Sequence, residues 1–146
     1  LVGGAKRRLL KNIMKQKTKI FLFAWILILI LPMVWVVRIN PRLDLWFNTF
    51  FAPEWMHIVA HVVLYIVVGF LVPWVLFDQS AIKSTIKNTV LVVLGIGLVQ
   101  EVFQLIVKQR GFGRNEVFDL LIDLFASLFG FFLYWIFFRK TSARKY

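Results

Sequence analysis

Four runs of apolar residues, at 20–37, 57–77, 89–107 and 117–138, take up more than half of this chain. Each is close to the ~20 residues that a helix needs to cross the hydrocarbon of a bilayer. Each also ends at charged or turn-forming residues. Lipid tolerates only spanning structures that satisfy their own backbone hydrogen bonds, which means helices or closed barrels. Runs this long have the helical length, so the expected fold is all-α: an integral membrane bundle of four transmembrane helices. Composition agrees, with 60% of residues hydrophobic against ~45–50% in soluble domains.

The first run follows a basic stretch, Lys6, Arg7, Arg8, Lys11, Lys15, Lys17 and Lys19, an order shared with signal peptides. It is long enough to span, and Arg38-Ile39-Asn40-Pro41-Arg42 stands where a small-residue cleavage site would be. It therefore reads as a retained membrane helix, with Pro32 as a point for a kink. The chain divides into a basic cytoplasmic N-terminal segment (1–19), a four-helix membrane domain (20–138) and a basic cytoplasmic tail (139–146). No internal repeat or low-complexity segment interrupts it. A short connection carrying Asp78, Gln79 and Ser80, followed by Lys83 and Lys87, joins the second and third runs. The turn between the third and fourth is basic and holds Gly111 and Gly113.

The connection at 40–56 differs from the others. It places Leu43, Leu45, Trp46, Phe47, Phe50, Phe51 and Trp55 among Asp44, Asn48 and Glu54. Aromatics of this kind settle at the membrane–water boundary, so a short interfacial segment is expected between helices one and two. The functional reading of the same segment is a lid over a lipid-like ligand.

Charge fixes an orientation. Seven Lys and Arg precede the first run, two lie between the second and third, and four follow the fourth. Only five fall in the other two connections. The positive-inside rule then puts both termini in the cytoplasm, N-in and C-in. The net charge of +11 is thereby explained by topology and by anionic headgroups. No nucleic-acid partner is expected, because no recognition helix or aromatic–basic sheet pattern is present. With no cysteine in the chain, disulfides, thiolate metal sites and cysteine nucleophiles are excluded.

In this orientation the polar residues of three helices meet at one level, in the outer half of the membrane. His57, His61, Tyr65 and Gly69 recur every four residues, a drifting stripe on one helix face. Glu101 and Gln104 share a face of the third helix. Glu116, Asp119 and Asp123 open the fourth, with Ala126 and Gly130 continuing their stripe. The loop bearing Arg110 and Arg114 closes over them. Gly69, Ala126 and Gly130 are small enough for the helices to approach closely beneath.

An ionised side chain at a helix centre costs about 2.5–3.5 kcal/mol on insertion scales, so these groups face one another and not lipid. A partner for Glu101 is expected in Arg110, Arg114 or a histidine. Two readings of the cluster compete. In one it is a buried ion-pair network that fixes helix register; in the other it is a site for a polar headgroup or a proton. The candidates for acid–base work are Glu101 and Asp119, and the wider cluster is His61, Tyr65, Glu101, Gln104, Arg110, Arg114, Asp119 and Asp123. The His57 and His61 spacing is one that zinc uses. Ile58-Val59-Ala60 between them lacks the glutamate of a metalloprotease helix. Hydrogen bonding to a carboxylate is the plainer role, and no metal or cofactor is expected. Ser127 lies deeper with no histidine beside it, so a serine nucleophile is not expected. Tyr65 reads as a packing residue with a satisfied hydroxyl.

Three pieces in this order, His61-Val-Val-Leu-Tyr65-Ile-Val-Val-Gly69, Glu101-Val-Phe-Gln104, and Arg114 followed by Asp119 and the stripe to Gly130, resemble the VanZ-like membrane proteins. The resemblance covers residues 56–133. The chain departs from that family's pattern at His57, where an acidic residue is common. It departs again at Asp123, where the family has asparagine, at Ala126, where it has glycine, and slightly in the arginine-to-aspartate spacing. The resemblance implies a multi-pass protein of the bacterial cytoplasmic membrane, associated with reduced susceptibility to teicoplanin-type glycopeptides. It implies no reaction. On that basis the polar pocket would bind or modify an amphipathic ligand at the outer leaflet, a lipid-linked cell-wall precursor or a glycopeptide, with Arg110 or Arg114 on its phosphate or carboxylate. The competing expectation is a non-enzymatic interaction protein, a homo-oligomer or the partner of another membrane protein, whose polar cluster is structural. A transporter would need an alternating-access cavity, and no inverted repeat supports one.

Overall fold

The computed structural model of the chain describes residues 2–31, 39–77, 82–109 and 113–139. All regular structure among them is helical. Helix α1 is Val2–Ile30, α2 is Pro41–Phe50, α3 is Glu54–Leu76, α4 is Ile82–Lys108 and α5 is Arg114–Tyr134, followed by a π-helical turn, Trp135–Arg139. Three of these contain segments long and apolar enough to cross a membrane: Trp55–Leu76, Ile82–Ile106 and Arg114–Phe138. The last third of the first expected span, with Pro32, lies outside the described residues, as does Arg110.

Helix α5 shows why these are membrane helices. Its buried stripe, Asp123, Ala126, Ser127, Gly130, Phe131 and Tyr134, faces the bundle. On its other side Phe118, Leu121, Phe125, Phe129 and Phe132, spaced by three and four residues, point outward and are exposed. A helix apolar on every face has no place in water, where such a stripe would be an aggregation surface. In lipid the outer stripe is solvated by acyl chains. The chain is a membrane protein.

Helices α3 and α5 form the most extensive packed pair, and α4 lies against both. Their contacts climb together, His61 with Asp123 near one end and Trp74 with Phe138 near the other, so the two run parallel. Glycine permits the approach. A Cβ on Gly69 would collide with the backbone carbonyl of Ser127, and one on Gly130 with that of Ile66. The backbones of α3 and α5 thus touch directly, as small residues allow between membrane helices. Above that contact the aromatic rings of Phe70, Trp74, Tyr134 and Phe138 fill the far end.

Helix α1 runs against α3 and α4, and the Trp25 indole N–H donates to the Leu64 carbonyl at 3.2 Å. Leu22 and Leu29 carry its buried face. The helix is continuous from Val2 through the basic stretch into the apolar run. Helix α2 begins with Asn40, whose side chain accepts from the Arg42 N–H at 2.9 Å, and with Pro41 at its first turn, a favoured start. None of its residues is buried.

Helix α4 begins seven residues ahead of its apolar run. Lys83 and Lys87 sit on its first turns and not in the connection, because Thr85 and Thr89 continue the buried face that Val93 and Ile96 extend. The Thr89 hydroxyl satisfies itself on the Thr85 carbonyl at 2.8 Å. A hydropathy boundary drawn at the lysines misses a helix whose inner face is already in register.

Candidate functional site: a polar layer at one end of the bundle

The first turns of α3 and α5 and the last turns of α4 lie at the same end of the bundle, which brings the expected residues together. His61 and Asp123 form its centre. Their side chains are 4% and 1% exposed, and His61 Nδ1 and Asp123 Oδ1 share a hydrogen bond of 2.7 Å. When the carboxylate is ionised it can only accept, which puts a proton on Nδ1 and, in the neutral imidazole, the lone pair on Nε2. The second carboxylate oxygen, Oδ2, is buried with no hydrogen bond.

One turn outward the same pairing repeats more loosely. His57 Nε2 stands 3.6 Å from Asp119 Oδ2, with the two side chains 44% and 17% exposed. The imidazoles of His57 and His61 lie with centroids 4.6 Å apart. One turn inward, Tyr65 is fully buried, its ring parallel to that of His61, and its hydroxyl donates to Gln100 Oε1 at 2.8 Å. The stripe at 57, 61 and 65 therefore forms a graded series: an open pair, a closed pair, and a sealed hydrogen bond.

Gly97 lets α4 descend over this series. A Cβ there would stand 3.5 Å from both Asp123 Oδ2 and the Tyr65 hydroxyl, and 2.8 Å from Leu120. Glu101 is 2% exposed on the same helix. Gln104 is half-buried at the outer edge.

Arg114 is exposed at the first position of α5. The side chain that does reach back from this turn is Glu116, whose Oε2 accepts from the Gly113 N–H at 2.8 Å and closes the start of α5. Ser127 is likewise committed elsewhere, its hydroxyl donating to the Leu124 carbonyl at 2.8 Å.

Gln100 was not among the residues expected here. Its signal is present in the sequence, since Thr89, Val93, Ile96 and Gln100 recur at steps of four, three and four, the buried face of α4. Gln100 and Gln104 also share a face one turn apart.

Beside the polar layer lies a cavity of about 680 Å³. Its walls come from the last turns of α1, the aromatic residues Trp46, Phe47, Phe50 and Phe51 at α2, and the first turns of α3. Among the described residues that line it, all side chains are apolar or aromatic except His57, His61, Gln100 and Gln104. Comparison with known protein families, curated proteins and solved structures finds no match to this chain.

Proposed function

We propose that this protein binds one amphipathic ligand at the outer leaflet of a bacterial cytoplasmic membrane, with N-in/C-in topology and a fourth span formed by the apolar run at 20–37. The ligand's hydrocarbon fills the cavity between α1, α2 and α3, and its polar head meets His57, His61, Gln100 and Gln104. One observation carries this reading: a cavity of about 680 Å³ whose lining, among the described residues, is apolar apart from two histidines and two glutamines. A volume of this size suits a drug-sized molecule or part of a lipid chain. The resemblance to VanZ-like proteins narrows the ligand to a lipid-linked wall precursor or a lipid-bearing glycopeptide of the teicoplanin type, and the biological outcome to glycopeptide resistance.

The second reading, a non-enzymatic interaction protein with a structural polar cluster, is favoured for the inner part of the layer. His61–Asp123 and Tyr65–Gln100 are buried hydrogen bonds between helices, and each ties two helices in register. The outer pair, His57 and Asp119, is open and is the part that a ligand can reach.

The test is a thermal-unfolding assay of the purified protein in detergent, with a polyisoprenyl pyrophosphate and with teicoplanin, on the wild type and Ala60→Trp. Ala60 is half-buried and lines the cavity, so an indole there occupies the proposed tail site. Ligand at 100 times Kd stabilises a folded protein by about 2.7 kcal/mol. The wild type is expected to gain stability with one of the two ligands, and Ala60→Trp to gain none. Equal stabilisation of both proteins would remove the cavity from the binding site; none for either would favour the structural reading.

A further inference from the structure

We infer that His57, His61 and Asp119 form a binding site for a divalent transition-metal ion of the zinc class, at the polar edge of the cavity. One ligand atom from each of the three lies within 4.8 Å of the others. Two imidazoles and one carboxylate are the donor set of borderline ions, leaving a position open to solvent or to an incoming group.

The arrangement has a fixed arm and an adjustable arm. His61 is the fixed arm: Asp123, 1% exposed, holds its Nδ1 at 2.7 Å. A carboxylate on one imidazole nitrogen is the support that metal-bound histidines use, because it sets the tautomer and makes the far nitrogen a better donor. Here that leaves Nε2 as the coordinating atom. His57 is the adjustable arm, 44% exposed and free to swing. Two donors bound tetrahedrally at about 2.0–2.1 Å stand about 3.3 Å apart. His57 Nε2 and Asp119 Oδ2 are already at 3.6 Å, so they close by a few tenths of an ångström. All three donors lie within 4.8 Å of one another, so no pair has to close by more than about 1.5 Å to reach that spacing.

A second observation points the same way. Asp123 Oδ2 is buried with no hydrogen bond, so this end of the bundle holds a buried carboxylate with unused acceptor capacity. A cation on His61 Nε2 would place positive charge one ring away from it. The sequence alone gives two histidines one turn apart on α3. Only the parallel packing of α3 on α5 adds Asp119 as a third donor and Asp123 behind it. The inference stands on these four side chains and not on what fills the cavity, although His57 and His61 also line it.

The experiment uses the full chain, purified in detergent without a polyhistidine tag and stripped with a chelator. Zinc binding is measured by calorimetry and by bound metal per chain, and cobalt substitution gives the visible spectrum of the site. The wild type is expected to bind one zinc per chain and to give the intense absorption of a four-coordinate cobalt site. His57→Ala and Asp119→Asn, both at the less buried pair, should fold and bind zinc at least ten-fold more weakly. Asp123→Asn should weaken binding by ten- to a hundred-fold while the stoichiometry stays at one. Absence of zinc binding by the wild type, or binding unchanged in His57→Ala and Asp119→Asn, would overturn the inference. Because neither readout involves a lipid or glycopeptide, failure here leaves the cavity reading to its own test.

Discussion

Replacing Gly69 by alanine adds one methyl group at the place where α3 and α5 touch, and its effect can be worked from the geometry. The new Cβ would stand 2.6 Å from both the Ser127 carbonyl carbon and its Cα, where ordinary contact begins at 3.4 Å. Those atoms are backbone and cannot turn aside, and the Ser127 carbonyl oxygen stands closer still, so the helices must part by at least about 0.8 Å. Overpacking of this kind costs about 1–3 kcal/mol. Two turns away, the same shift stretches the 2.7 Å His61–Asp123 hydrogen bond to about 3.5 Å, the edge of hydrogen-bond geometry. Leaving that pair unsatisfied adds about 1–3 kcal/mol. Alanine returns about 1 kcal/mol through helix propensity. The net expectation is a loss of about 3 kcal/mol. Gly95→Ala is the matched control: a Cβ there meets nothing within 4 Å, so only the propensity gain remains. Both variants are compared with the wild type by SDS-titrated unfolding in mixed micelles. A Gly69→Ala protein as stable as Gly95→Ala would refute direct backbone contact between α3 and α5, and with it the register that pairs His61 with Asp123.

Tyr65→Phe removes the hydroxyl that donates to Gln100 at 2.8 Å inside the bundle and should cost about 1–2 kcal/mol, read in the same unfolding assay; an unchanged free energy would show that Gln100 finds another donor. Orientation is testable because the chain has no cysteine of its own. Asn48→Cys, in α2, should react with a membrane-impermeant maleimide on intact cells, whereas Lys87→Cys, at the opposite end of the bundle, should react only after permeabilisation. The reverse pattern would invert the topology.

The sequence made the bundle legible because lipid imposes a simple rule, one apolar run per crossing, and the runs that begin at 57, 89 and 117 all became helices. It also made Gly69 and Gly130 legible as contact points, since the four-residue stripes that carry them contain the polar residues too. Two things were not legible. Helix α4 starts at Ile82 because Thr85 and Thr89 face inward, and hydropathy scores a threonine by its hydroxyl without seeing that the preceding turn satisfies it. Of the counter-charges expected for Glu101, Arg110 lies outside the described residues and Arg114 is exposed at the start of α5. Gln100 was passed over beside the more conspicuous Glu101, although its helical phase placed it under Tyr65. The joining of His57 to Asp119 required knowing that α3 and α5 run parallel in contact, a fact about pairing that no single stripe contains.

Helix α2 buries none of its residues, yet Trp46, Phe47 and Phe50 roof the cavity. An element with no core of its own is not held at a fixed height by the protein. On the membrane reading, the depth at which its aromatic rings partition into the headgroup region sets that height. The ceiling of the cavity therefore belongs jointly to the chain and to the bilayer, and the headroom beneath it becomes a function of lipid length and headgroup packing. A micelle and a native membrane would then present the same four helices with cavities of different size.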